Sequence, residues 1–181
     1  MATLYLFVSA APPVFDLAPV IGDAQARGFD VCLGLTPSAA EWLTDDLDVL
    51  SALTGHPVRS RYKRPGEQDA WPQADAIAFA PITFNSLNAW AQGLTTSFVV
   101  GVVAEGVGKR IPMVAMPCVN AAFAAHPRLD RSVAELRAMG VEVLYGEGGF
   151  TPNQPGQGRP GEYPWDLVLD AAERLALGDA P

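Results

Sequence analysis

Small polar side chains follow three apolar runs of this sequence, each time just before a helical pattern begins. A hydroxyl beside the free N–H groups of a helix N-terminus makes a site for an anion, most often a phosphate. Ordinary helix capping explains any one loop, but three at one sheet edge favour a bound mononucleotide. Dinucleotide and P-loop fingerprints are absent, and the loops carry no Lys or Arg. Their polar residues are Ser9, Thr36, Ser38, Thr83, Asn85 and Ser86.

The stretch from Asp75 to Asn120 must position the central loops. The apolar runs at 76–80 and 111–116 predict two buried strands, and a stripe of apolar residues from Leu87 to about Glu105 predicts one helix between them. A right-handed βαβ unit then brings two polar loops, 81–86 and 117–120, to the carboxyl ends of neighbouring strands. Open α/β sheets bind their ligands at this edge.

The remaining patterns predict a single doubly wound, Rossmann-like (flavodoxin-like) α/β domain over residues 1–181, with a mostly parallel sheet of about six strands. The Gly- and Pro-rich segment 146–161 is too long for a plain connector and is predicted to be a lid or binding flap. Gly93 and Gly101 within the central helix predict close packing. The other predicted strands are 4–8, 29–35, 58–62 and 141–145, and the other predicted helices are 14–26, 37–43, 45–53, 120–125, 130–139 and 164–177.

Charge and composition narrow the class of protein. The net charge of −8 argues against unaided nucleic-acid binding, although a basic segment at 59–64 is a local exception. Cys32 and Cys118 do not resemble a disulfide framework, which predicts a reducing compartment. The chain opens directly into a strand pattern, and no apolar run approaches the ~20 residues that span a bilayer. We therefore expect a cytoplasmic protein with no membrane partner.

The four loops together resemble the flavin-containing cysteine decarboxylase family. That family includes phosphopantothenoylcysteine decarboxylase and the enzymes that modify C-terminal cysteines of lantibiotic peptides. Its signatures, PASANT and PxMNxxMW, are matched here by the degenerate segments Pro81–Ser86 and Pro117–Phe123. The resemblance extends over roughly residues 4–159 and includes the His126-Pro127 turn.

The resemblance implies a cofactor, an assembly and a set of site residues. The cofactor would be FMN, bound at subunit interfaces of a homotrimer or of a larger assembly of trimers. Asn120 would bind a carboxylate or amide of a small molecule or of a peptide C-terminal cysteine, and the flap would close over it. The residues implied at FMN are Ser9, Ala10 and Ala11 on the phosphate or ribityl side, Thr36 and Ser38 at the phosphate, Thr83, Phe84, Asn85 and Ser86 along the cofactor, and Cys118 through its backbone.

The sequence departs from the family at its catalytic histidine, whose position is occupied by Glu67. A partly desolvated carboxylate can serve as a base, and an exposed loop charge is the alternative interpretation. The histidines of this chain, His56 and His126, lie elsewhere. The cysteine that carries out the enethiol reduction in coenzyme A synthesis would fall near Pro152, so that reduction is not supported.

Three functions remain open from the sequence. The first is an FMN-dependent, oxidative decarboxylase of a small or peptide-borne thiol or carboxylate, with Asn120 and Glu67 as its candidate catalytic residues. The second is a non-enzymatic FMN-binding regulatory or partner subunit. The third is another FMN-dependent oxidoreductase, such as a flavin reductase or a prenyl-flavin enzyme. The last would need a basic pocket for a prenyl phosphate, which segment 59–64 alone could offer.

Overall fold

A computed structural model describes residues 1–178. Five parallel strands form one sheet in the order β2-β1-β3-β4-β5, as expected for a doubly wound α/β domain. The predicted fold class is therefore confirmed, with five strands rather than six. The strands are β1 (Ala2–Val8), β2 (Phe29–Leu35), β3 (Ala76–Ile82), β4 (Met113–Pro117) and β5 (Glu142–Val143).

Within residues 1–178, eight α-helices connect or flank these strands. Two 3-10 turns, Pro12–Asp16 and Pro160–Glu162, precede the first and the last of them. All seven residues of β3 are buried, so both faces of the central strand are covered. The helices are α1 (Leu17–Ala26), α2 (Pro37–Trp42), α3 (Leu47–Thr54), α4 (Phe84–Ala91), α5 (Phe98–Lys109), α6 (Ala121–Ala124), α7 (Pro127–Ala138) and α8 (Trp165–Ala176).

The predicted strand at 58–62 does not form, which accounts for the strand count. Only Arg59 pairs with β2, through its N–H to the Leu33 carbonyl at 3.1 Å and its carbonyl to the Leu35 N–H at 2.8 Å. The guanidinium of Arg59 lies 4.3 Å from the ring centre of Phe98 and 5.0 Å from that of Trp71. Alternation in the sequence suggested a strand, but beyond Arg59 the backbone runs into the exposed segment 61–70.

The single helix predicted over 87–105 is in fact two, α4 and α5, separated at Gly93. Gly93 has a φ of 70°, the left-handed conformation that ends many helices. The predicted close packing is wrong for Gly93, where nothing lies within 4 Å of an added Cβ atom. It holds for Gly101, where a Cβ atom would lie 1.6 Å from the Tyr62 hydroxyl oxygen. The stripe of apolar residues continues on both sides of the break, so the sequence pattern gave no sign that the helix ends there. Because of this break, α5 begins at the edge of the sheet with Ser97 as its N-cap residue.

Within residues 1–178, no helix is both long enough and apolar enough to cross a membrane.

Candidate functional site

A cavity of about 1150 Å³ lies at the carboxyl ends of β1 to β4. Its walls are the loops that follow these strands, and segment 149–164 closes one side. Small-molecule sites commonly occupy ~300–1,000 Å³. The space therefore suits a nucleotide-sized cofactor together with part of a second ligand. Its position agrees with the edge predicted from the order of strands and loops.

Four helices begin at the wall of this cavity. Their N-cap residues are Thr36, Thr83, Ser97 and Asn120 for α2, α4, α5 and α6, and each accepts a hydrogen bond from a backbone N–H of the following turn. All four caps line the cavity. The remaining N–H groups and the positive ends of the helix dipoles make this rim attractive to an anion.

The charged residues that line the cavity are few. Within residues 1–178 they are Arg159 and Glu162, which pair with each other at 3.4 Å and are both largely exposed. An anion deeper in the cavity would therefore be held by neutral donors. The absence of Lys and Arg from the loops had led to the same expectation, that neutral groups would bind the anion.

A chain of hydroxyls joins two of the predicted loops beneath the cavity. Ser9 Oγ donates to Ser86 Oγ at 3.0 Å, and Thr83 Oγ1 donates to the same oxygen at 3.3 Å. Each of these hydroxyls can donate or accept, so Ser86, which lines the cavity, can direct its proton to a ligand while Ser9 and Thr83 donate to it. Ser9 is 1% exposed and does not line the cavity, so it acts on the site through Ser86.

An aromatic surface forms a second part of the wall. The rings of Phe84 and Phe123 stack with their centres 4.9 Å apart, and His126 meets Phe84 edge-on at 5.4 Å. Phe123 remains 48% exposed, a large fraction for an aromatic ring. The pair offers a planar ligand an apolar face.

Farther in, the hydroxyl of the buried Tyr163 donates to the Met116 carbonyl at 2.7 Å.

The carboxamide of Asn120 has a defined orientation in the cavity wall. Its oxygen accepts from the backbone N–H groups of Ala122 at 3.0 Å and of Phe123 at 3.1 Å. Because those two partners are donors, the oxygen must face them and the NH₂ group faces away. Asn120 therefore presents a donor to a ligand, which suits a carboxylate.

Cys118 lies in the wall as predicted, but not as a nucleophile. Burial raises the pKa of its thiol to about 11, so the thiol is protonated at neutral pH. Its backbone N–H donates to the Ile82 carbonyl at 3.0 Å. A backbone contact from Cys118 to a ligand would therefore use the carbonyl oxygen.

Ten of the twelve residues predicted for the site line the cavity. They are Ala10, Ala11, Thr36, Ser38, Thr83, Phe84, Asn85, Ser86, Cys118 and Asn120.

The two that do not are Ser9, which supports Ser86 from below, and Glu67. Glu67 is exposed, and its carboxylate accepts from the backbone N–H of Arg64 at 2.8 Å. It closes a surface turn and is not desolvated, so the geometry gives it no place in this chain's own cavity.

Several lining residues have no counterpart among the predicted site residues. Thr96 and Ser97 were hidden by the assumed continuous helix, although a Ser before an apolar helical run is an N-cap signal. The flap was predicted as a segment, but which of its side chains face the cavity was not. Asn153 of the flap lines the cavity, and so does Tyr163, which follows the predicted flap.

The sequence profile of the Flavoprotein family matches residues 3–171. The chain belongs to the Flavoprotein family. The resemblance suggested by the loops is thus confirmed at the level of the family. A comparison with curated protein sequences found no match.

Solved structures of Flavoprotein-like enzymes share the fold. The FMN-dependent cysteine decarboxylase TvaF of thioviridamide biosynthesis superposes with a TM-score of 0.77 at 21% identity, over 98% of this chain and 99% of its own. PPC decarboxylase gives 0.73 at 16% identity, over 99% and 100%. The peptidyl-cysteine decarboxylase EpiD gives 0.71 at 19% identity, over 95% and 99%.

Proposed function

We propose that this protein binds FMN in the cavity and catalyses oxidative decarboxylation of a small or peptide-borne cysteine carboxylate. Membership of the Flavoprotein family and the likeness to FMN-dependent cysteine decarboxylases support the proposal. The observation that carries it is the combination found in one cavity. Helix N-termini suited to a phosphate lie beside an aromatic surface and the outward-facing amide of Asn120.

The residues of this chain fit FMN by their chemistry. The N-terminal turns of α2 and α4, with the hydroxyls of Ser38 and Ser86, would hold the phosphate through neutral donors. The Phe84–Phe123 stack would supply an apolar face for a planar ring. When bound, FMN would supply the acceptor for the two electrons and two protons that the substrate gives up in addition to carbon dioxide.

Asn120 would bind and orient the substrate carboxylate. A carboxamide donor is neutral, so it positions the carboxylate without a cationic partner. The segment 149–164 would limit the access of water to that carboxylate. Binding, orientation and exclusion of water are thus the contributions that the chain's own residues make.

A non-enzymatic flavin-binding role is the second candidate, and one observation favours it. No histidine lines the cavity within residues 1–178, and the thiol of Cys118 and the phenol of Tyr163 have raised pKa values through burial. The cavity therefore offers no obvious group that titrates near neutral pH. Glu67 lies outside this chain's own cavity, so its role as a base remains a prediction.

A prenyl-flavin role receives no support from this cavity. The basic segment 59–64 does not line it, and Arg59 is held between two aromatic rings. Within residues 1–178, the only cationic residue that the cavity offers a prenyl phosphate is the exposed Arg159. The homotrimer and the cytoplasmic location remain predictions, and light scattering of the purified protein tests the first.

The test of the proposed function has two steps. Titration with FMN should quench flavin fluorescence with saturable stoichiometry, and Thr83→Val should weaken binding while Thr83→Ser, which keeps the hydroxyl, should not. The loaded protein is then incubated with random peptides that end in cysteine and with N-acylcysteines, followed by mass spectrometry. We expect products that have lost carbon dioxide and two hydrogens. FMN binding without any such product would favour the non-enzymatic role, and no FMN binding would refute both.

A further inference from the structure

One backbone contact of the flap joins Asn153 to the chain beside Asn120. Asn120 and Asn153 form an isolated parallel β-bridge, and the Ala121 N–H donates to the Asn153 carbonyl at 2.8 Å. Residues paired in a parallel ladder have Cα atoms about 4.8 Å apart, and their side chains leave the same face. Both side chains line the cavity. Two carboxamides therefore stand side by side in one wall.

The side-chain amides of Asn120 and Asn153 differ in their hydrogen bonds to the rest of the chain. The Asn120 oxygen is engaged by two backbone N–H groups, whereas the Asn153 side chain makes no hydrogen bond to any other residue within 1–178. Asn153 is partly exposed and lies in the cavity wall, so its amide is open to a ligand there. A polar group in a cavity wall without a protein partner is suited to a ligand.

Charge supports the same assignment. A carboxylate has two oxygens with about four acceptor sites, and one amide donor satisfies only part of them. Within residues 1–178, the one cationic residue of the lining is Arg159, which is largely exposed and paired with Glu162. A second neutral donor beside Asn120 would complete the recognition of a carboxylate without burying an additional charge.

Resting on the proposed function, we propose that Asn153 is a second specificity-determining residue, which donates to the substrate carboxylate beside Asn120. The site would then select substrates with a free carboxylate over the corresponding amides. Because the flap carries Asn153, this selectivity depends on how the flap is docked. The backbone bridge at Ala121 sets that docking.

The test measures ligand selectivity, independently of turnover. FMN-loaded protein is titrated with a mixture of acetylated pentapeptides that end in serine, supplied either as free acids or as C-terminal amides, and the change in the visible flavin spectrum gives apparent Kd values. The wild type should prefer the acids. Asn153→Ala should reduce that preference about tenfold, the value of one hydrogen bond to a charged group. Asn153→Asp should reduce it further through repulsion.

Gln157→Ala is the matched control, because Gln157 is a flap carboxamide that does not line the cavity. Its preference should equal that of the wild type. An unchanged preference in Asn153→Ala would overturn the inference, and so would an equal loss of acid and amide binding, which would show that Asn153 only docks the flap. If the wild type binds FMN but neither peptide set, the proposed substrate class fails and the inference fails with it.

Discussion

Asn120→Asp should separate the two roles of the Asn120 side chain, which are to cap helix α6 and to donate to a ligand. Asp and Asn are equally good N-caps, so the oxygen that accepts from Ala122 and Phe123 is retained and the stability of the fold should change little. The NH₂ donor, however, is replaced by an anionic oxygen that faces the cavity. Binding of a carboxylate ligand should therefore fall while the thermal midpoint of unfolding stays close to that of the wild type.

The size of the loss follows from two terms. A hydrogen bond to a charged group contributes about 1.5–3 kcal/mol, which corresponds to roughly 10- to 150-fold in Kd. Two like charges about 4 Å apart add repulsion of up to roughly 4 kcal/mol at an effective dielectric constant of about 20. We therefore expect at least about 100-fold weaker binding. The loss should shrink at lower pH, because repulsion raises the pKa of the new carboxyl and protonation restores a donor.

The assay is titration of FMN-loaded protein with serine-ended free-acid peptides, combined with thermal unfolding of each variant. Asn120→Ala, which loses the cap as well as the donor, should in addition lose about 1 kcal/mol of stability. Gln157→Glu adds a negative charge to the flap away from the cavity wall and controls for net charge. Carboxylate binding by Asn120→Asp equal to that of the wild type would refute the assigned orientation of the amide.

Three further results are expected. Gly149→Ala should destabilise the fold by about 1–3 kcal/mol in chemical denaturation, because the added Cβ would lie 2.4 Å from the backbone carbon of Leu144; an unchanged midpoint would contradict that contact. Alkylation of Cys118 by iodoacetamide should be slow at neutral pH, rise towards a pKa of about 11, and be slowed by FMN; fast, FMN-insensitive alkylation would place the thiol outside the site. Burial raises the pKa of Tyr163 well above 10, so the stability that its neutral phenol contributes is complete below about pH 10 and declines as the pH rises towards the folded-state pKa. Tyr163→Phe should flatten that decline and should cost about 1 kcal/mol of stability, because the hydrogen bond to the Met116 carbonyl is lost. A decline in the variant as steep as in the wild type would assign the pH dependence to other groups.

Local signals in the sequence were sufficient for much of the fold. The buried runs that became β1, β2 and β3 are nearly continuous stretches of apolar residues, which is typical of parallel strands covered on both faces. Capping chemistry was equally local. A hydroxyl placed before a helical pattern, as at Thr36 and Thr83, caps its helix because donor and acceptor are three residues apart.

The errors arose where a distant contact outweighed a local pattern. The alternation over 58–62 has the period of a strand, yet Arg59 is fixed by rings that come from residues 71 and 98. The apolar stripe over 87–105 has the period of one helix, yet the left-handed turn at Gly93 divides it. The spacing of apolar residues does not show where one helix ends and the next begins when both helices are buried.

The sequence by itself determined that small polar groups gather at one sheet edge, because strand order along the chain and helix capping are both short-range properties. Only the tertiary structure decided which of those groups face the cavity. It placed Glu67 outside this chain's own cavity, placed Ser9 beneath Ser86, and set Asn153 beside Asn120 across 33 residues of chain. The physical reason is that side-chain direction depends on how separate elements pack, and no local pattern of residues encodes that packing.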